Sequence, residues 1–158
     1  MELTDQSVVA LQESFDYGTI VPLASDTPMI VVDTSVVLAV LLIEPERTTI
    51  LKRTRGKRIL AAPSLGWEVG NALVALVRRR RADYPAVERA WRSFGRIHLA
   101  YANCDISAAL RLATEASLYA YDAYVIETAR AAGAPLLTLD KKQQAVAAER
   151  GVEILEIT

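Results

Sequence analysis

Sulfur and imidazole ligands are scarce in this chain, which has one cysteine, Cys104, and one histidine, His98. A lone thiol cannot build a disulfide framework, and this points to a reducing compartment. One of each also excludes a zinc site of the usual ligand types. The histidine lies six residues before the cysteine in a strand-like stretch. A Cys–His nucleophile is therefore disfavoured, and Cys104 is read as a structural thiol. No stretch reaches the roughly 18 apolar residues of a membrane span. The longest apolar run, 36–43, fits a buried helix. No basic residue precedes Arg47, so the charged start of a signal peptide is missing. These absences predict a cytoplasmic protein that does not engage a membrane. There is no glycine-rich phosphate loop and no internal repeat.

The 158 residues suit one domain with room for a core, and 52% hydrophobic with 23% charged residues is the balance of a folded protein. The net charge of −1 conceals a division. Residues 1–28 hold five acids and no base, which leaves 18 basic and 14 acidic residues in 29–158, a net of +4. Within 47–96, thirteen bases face three acids. Basic surface gathered in one region favours a polyanionic partner such as nucleic acid. Solvated helix faces would explain either run alone.

Along the chain, residues 1–28 read as an acidic extension or leader: a short helix from Thr4, a turn at Asp16-Tyr17-Gly18, then a linker to Pro28. Met29 is a candidate true start. Over 29–158, strands and helices then alternate. Strands are expected at 30–33, 58–62, 97–102 and 136–139, with an edge strand at 152–157. Helices are expected at 34–42, from 44 to about 55, from 63 to the arginine run, after Pro85, at 106–120, at 123–132 and at 141–150. Asp105 reads as a helix cap, Gly133 and Gly151 as helix ends, and Leu65, Val69, Leu73 and Leu76 as a core face. Alternating units predict an α/β fold, a three-layer α/β/α sandwich around a central, mainly parallel sheet.

Four carboxylates stand at the edges of apolar runs: Asp33, Glu68, Asp122 and Asp140. Asp33 and Asp140 close strands, where open α/β sheets bind ligands. Glu68 and Asp122 fall near helix starts. Brought together, they would need a cation, and hard divalent ions such as Mg²⁺ or Mn²⁺ take such oxygen ligands. Each has a plainer explanation to set against this. Asp33, Asp122 and Asp140 could cap helices, whereas nothing local requires an acid at Glu68. Glu127 reads as surface, Trp67 and Trp91 as packing residues, and Tyr119, Tyr121 and Tyr124 as core or interface.

Residues 29–158 resemble a PIN domain, most closely the VapC-type ribonuclease toxins of toxin–antitoxin pairs. Met29-Ile30-Val31-Val32-Asp33-Thr34-Ser35 matches the family's first strand, first acid and hydroxyl. Pro63, Glu68, Asn71 and Leu73 match its second-acid helix, Tyr121-Asp122-Ala123 its third acid, and Thr138-Leu139-Asp140 its fourth. The resemblance implies catalytic and metal-holding roles for Asp33, Glu68, Asp122 and, less directly, Asp140. Thr34, Ser35, Asn71 and Thr138 would support them. It further implies a Mg²⁺- or Mn²⁺-dependent endoribonuclease, a homodimer and a cognate antitoxin. The basic runs would hold the RNA backbone. Which RNA is cut is open. Two other readings stand beside it, a non-cleaving RNA- or antitoxin-binding module and a hydrolase of small phosphate esters. The acidic leader departs from the family pattern, and its charge suggests that it packs on the basic surface in cis.

Overall fold

The structure, a computed structural model, describes residues 27–157. All but the last two residues of the acidic leader expected over 1–28 lie outside the described residues. From Met29 onward, four strands and seven helices alternate: β1 (Met29–Val32), α1 (Thr34–Leu41), α2 (Arg47–Thr54), β2 (Arg58–Ala61), α3 (Leu65–Arg78), α4 (Tyr84–Phe94), β3 (Ala100–Tyr101), α5 (Ile106–Ala116), α6 (Ala120–Ala132), β4 (Leu136–Leu137) and α7 (Lys141–Glu149).

The strands form one parallel sheet in the order β3-β2-β1-β4. Side chains alternate across a strand, and here the alternation sorts the core into two layers. Ile30, Val32, Ile59, Ala61 and Leu137 face the helices α1 to α4, where Val36, Val40, Ile50, Leu65, Val69, Leu73 and Phe94 pack. Val31, Leu60 and Leu136 face the other way, onto Leu112 of α5, Val125 and Ile126 of α6, and Val146 of α7. This is the expected α/β/α sandwich, and the expected apolar face of α3 is buried within it. Leu73 is only 1% exposed, and its truncation to Ala costs about 2–5 kcal/mol.

Several elements differ from the sequence expectation. The strand expected at 97–102 is reduced to Ala100–Tyr101. The edge strand at 152–157 is a single parallel bridge from Ile154 to Leu136. The helix expected to run to 120 stops at Ala116, because Ser117 turns left-handed with φ of 52°. The next helix then begins at Ala120, so Tyr121 and Asp122 lie inside its first turn rather than interrupting it.

The helix ends share one device. After α6 and α7, Gly133 and Gly151 take positive φ and the following amides reach back to carbonyls five residues earlier, Ala134 to Ala129 and Val152 to Ala147. Helix α3 closes in the same way, with Arg81 N–H bonded to Leu76 O at 2.9 Å, but the left-handed residue there is Arg80, with φ of 55°. A side chain in that conformation costs roughly 1–2 kcal/mol relative to glycine.

Candidate active site

The strand order places the topological switch point between β1 and β4. Helices following β1 and β4 leave the sheet on opposite faces, opening a crevice at the strands' carboxyl ends. Asp33 follows β1 and Thr138-Leu139-Asp140 follows β4. Helix α3 brings Glu68 from one layer, and α6 brings Asp122 from the other.

Asp33 is 7% exposed. Its Oδ1 accepts from the Ser35 hydroxyl at 2.7 Å and from Val36 N–H at 3.3 Å. It therefore caps α1, as its plainer explanation required. Burial pushes its carboxyl up to about 6, against hydrogen bonds from Ser35, Val36 and Thr138 that pull it down. Ser35 does a second task, its Oγ accepting Leu139 N–H at 3.0 Å from across the switch point.

Glu68 lies one turn inside α3, half-buried, with both oxygens occupied. Ser64 Oγ donates to Oε1 at 2.7 Å and Thr34 Oγ1 donates to Oε2 at 2.9 Å. Ser64 holds the cap position of α3, but its hydroxyl goes to Glu68 and makes no capping bond. Thr34 links the acid of one helix to the start of another. Asn71 stands exposed one turn after Glu68.

Asp122 is half-buried, and Tyr119, not Asp122, holds the cap position of α6. Capping by its own position therefore does not account for this acid. Burial raises its carboxyl, and the negative charges of Asp140 and Glu68 raise it further. Asp140 and Glu68 are thus both within electrostatic reach of Asp122. Asp140 caps α7, accepting from Gln143 N–H at 2.8 Å, and its own N–H donates to Thr138 Oγ1 at 3.1 Å.

Gln143 was not singled out in the sequence. It is buried, its Nε2 donates to the Asp122 carbonyl at 3.3 Å, and its Oε1 has no partner among the described residues. It ties the Asp140 cap to the Asp122 helix. A buried amide at the third position of a polar segment (Lys141-Lys142-Gln143-Gln144) carries no signal in periodicity.

Other expectations are corrected. Glu127 is not surface. It is 5% exposed and accepts from Arg130 at 2.7 and 2.9 Å. Trp67 and Tyr119 are not core residues: they are the two most exposed large hydrophobic side chains in the described range, at 76% and 84%, which leaves the interface alternative for Tyr119. Trp91 packs on Phe94 with ring centroids 5.2 Å apart yet remains partly open. For Cys104, burial pushes the thiol up and the Glu127 charge adds to it, outweighing a Thr128 hydrogen bond, as suits a structural thiol. No helix among the described residues is long and apolar enough to cross a membrane.

Among the described residues, no three His, Cys, Asp or Glu side chains already stand as a ready-made metal cage. The donors nonetheless fit a hard divalent ion in kind. They are carboxylates, and their mutual repulsion at Asp122 is what a cation would relieve.

An α/β domain that carries carboxylates at its switch point has a place for a cation there. Residues 30–149 match the PIN domain family, and the chain belongs to it; its members are generally nucleases. The fold is similar to the crystal structure of PAE2754 from Pyrobaculum aerophilum, with a TM-score of 0.60 and 22% identity over 78% of this chain and 87% of that one. No curated protein matches the chain.

Proposed function

We propose that this chain is a cytoplasmic Mg²⁺-dependent endoribonuclease, with Mn²⁺ as an alternative ion, leaving a 5′-phosphate and a 3′-hydroxyl. What supports the reading is that β1, α3, α6 and β4 carry Asp33, Glu68, Asp122 and Asp140 toward the switch point, with the Asp122 carboxyl raised by burial first and then by the Asp140 and Glu68 charges. Asp33, Glu68 and Asp122 would hold the ion, directly or through water, and Asp140 a weaker ion or the outer shell. When bound, the ion supplies a hydroxide-generating and alkoxide-stabilising charge. Ser64 and Thr34 fix the Glu68 carboxylate, and Ser35 with Val36 fixes Asp33, so that one oxygen of Asp33 is aimed by its partners. The basic helices within 47–96 attract the RNA backbone.

The order of the motif residues, with Pro63 just before α3, Glu68, Asn71 and Leu73 on it, and Tyr121-Asp122-Ala123 on α6, supports a VapC-type toxin silenced by an antitoxin and acting as a homodimer. A pure RNA binder gains nothing from negative charge concentrated beside a polyanion, which disfavours the non-cleaving reading.

The test is cleavage of a labelled mixed RNA pool by purified protein with Mg²⁺, Mn²⁺ or EDTA, beside Asp33→Asn. Cleavage that needs metal and vanishes in the variant supports the reading. A pool left intact in Mg²⁺ and Mn²⁺ by the full chain and by residues 29–158 sinks it. Cleavage by 29–158 alone would assign the leader an inhibitory role.

A further inference from the structure

Helix α3 ends with an arginine at a position where glycine is free of strain. Arg80 N–H bonds Val77 O and Arg81 N–H bonds Leu76 O, both at 2.9 Å, which commits Arg80 to φ of 55°. The equivalent closures of α6 and α7 use Gly133 and Gly151. Ile43 and Ser117 close α1 and α5 in the same left-handed conformation, with φ of 56° and 52°, so what sets Arg80 apart is its surroundings rather than its backbone.

Beside Arg80 lies a cleft of about 590 Å³ between the end of α3 and the start of α4, lined by Arg80, Arg81 and Arg89. Asp83 also lines it, but its Oδ1 is engaged in capping α4 through Ala86 N–H at 2.8 Å. None of these three arginines forms an ion pair among the described residues. Three guanidinium groups therefore share one concavity with a single carboxylate, which leaves the cleft net positive. Mutual repulsion disfavours that arrangement unless an anion joins it, and guanidinium matches phosphate oxygens in bidentate geometry.

We infer that the Arg80–Arg81–Arg89 cleft is a phosphate subsite for the backbone of an RNA strand whose reacting phosphate lies at the acidic crevice. The inference rests on the nuclease reading above and adds where the strand continues. Glu68 and Arg80 are twelve residues apart along α3, about 18 Å at 1.5 Å per residue. That is on the order of five nucleotides at roughly 3.4 Å each. A strand of that reach spans both ends of the helix, and a shorter one engages only the crevice.

The experiment measures fluorescence anisotropy of labelled 4-mer and 16-mer RNA with the full chain carrying Asp33→Asn, so that the strand is not cut. Arg80→Gly and Arg89→Gln are added to that background. For the 16-mer each is expected to weaken binding about 5-fold and to lower the slope of log affinity against log salt by about 0.7. The 4-mer should bind alike in all. Arg80→Gly should also melt a few degrees higher, which separates a lost phosphate contact from a damaged fold.

Unchanged 16-mer affinity and slope would overturn the subsite and leave the cleft to an acidic protein segment. Inorganic phosphate should compete with the 16-mer at constant ionic strength through these arginines, and competition undiminished by Arg80→Gly and Arg89→Gln would overturn the assignment. If the unmodified chain cuts no RNA while the arginine effects persist, the nuclease reading fails and the subsite stands. Cleavage without arginine effects is the reverse.

Discussion

At the start of α3 Glu68 accepts one hydroxyl on each carboxylate oxygen, whereas at its end Arg80 and Arg81 face a cleft in which no acid pairs with them among the described residues. Both ends obey the helix macrodipole, which favours acids at the first turn and bases at the last. Charge placement alone therefore argues nothing about function. What separates the ends is how firmly each charge is held. The acid is fastened from two elements, as a group must be if it positions something small. The arginines are loose on the surface, as suits groups that close on a flexible polyanion.

The comparison breaks first at Asp33. Asp33→Asn should reduce RNA cleavage by about 10²–10⁴-fold. Asparagine caps a helix as well as aspartate, so the variant should stay folded, with a thermal midpoint no lower than that of the unmodified chain. Loss of activity accompanied by unfolding would make Asp33 a cap and nothing more.

A second effect concerns pH. The folded Asp33 carboxyl is raised from 3.8 to about 6, so the fold binds its proton more tightly than the unfolded chain does. Its contribution is fully present below pH about 4 and is lost as pH rises through 6. The loss is about 3 kcal/mol. In EDTA, denaturant melts should therefore show Asp33→Asn more stable than the unmodified chain at pH 8, with the advantage gone at pH 4. An equal difference at both values would contradict burial as the cause.

Freeing the acid end comes next. Ser64→Ala should lower single-turnover cleavage by about 10–100-fold while RNA affinity stays level, because it releases one oxygen of Glu68 without removing charge. A fall in affinity with cleavage rate intact would show that Ser64 does not serve to hold Glu68.

The smallest expected change sharpens the other end. Gly133→Arg at the close of α6 should cost about 1–2 kcal/mol, since no neighbouring atom lies within 4 Å of an added Cβ and only the backbone objects. Thermal melts would read it as a drop of a few degrees. If it is neutral, the left-handed Arg80 carries no strain and its placement needs no explanation.

Much of this was legible in the chain. Ile30-Val31-Val32 and Leu136-Leu137 announce buried strands because both of their faces are covered, and the acids that follow sit at the crevice for the same reason. The α3 core face appeared at its helical spacing. The start of α6 did not, because no glycine marks the end of α5 and Ser117 takes the left-handed turn unannounced. Glu127 was misjudged because its burial depends on Arg130, one turn on, covering it. The hydroxyls of Ser64 and Thr34 were visible as residue types, but their meeting at Glu68 is a tertiary fact. The bond from Thr34 spans 34 positions of sequence.

Ser35 reaches further still, accepting the amide of Leu139 from 104 positions away while holding Asp33. A chain emerging from the ribosome makes β1 long before β4. Until the last strand docks, Ser35 lacks that partner, Thr138 and Asp140 are not beside Asp33, and the crevice has only one wall. The acidic crevice is thus complete only when the last strand has docked.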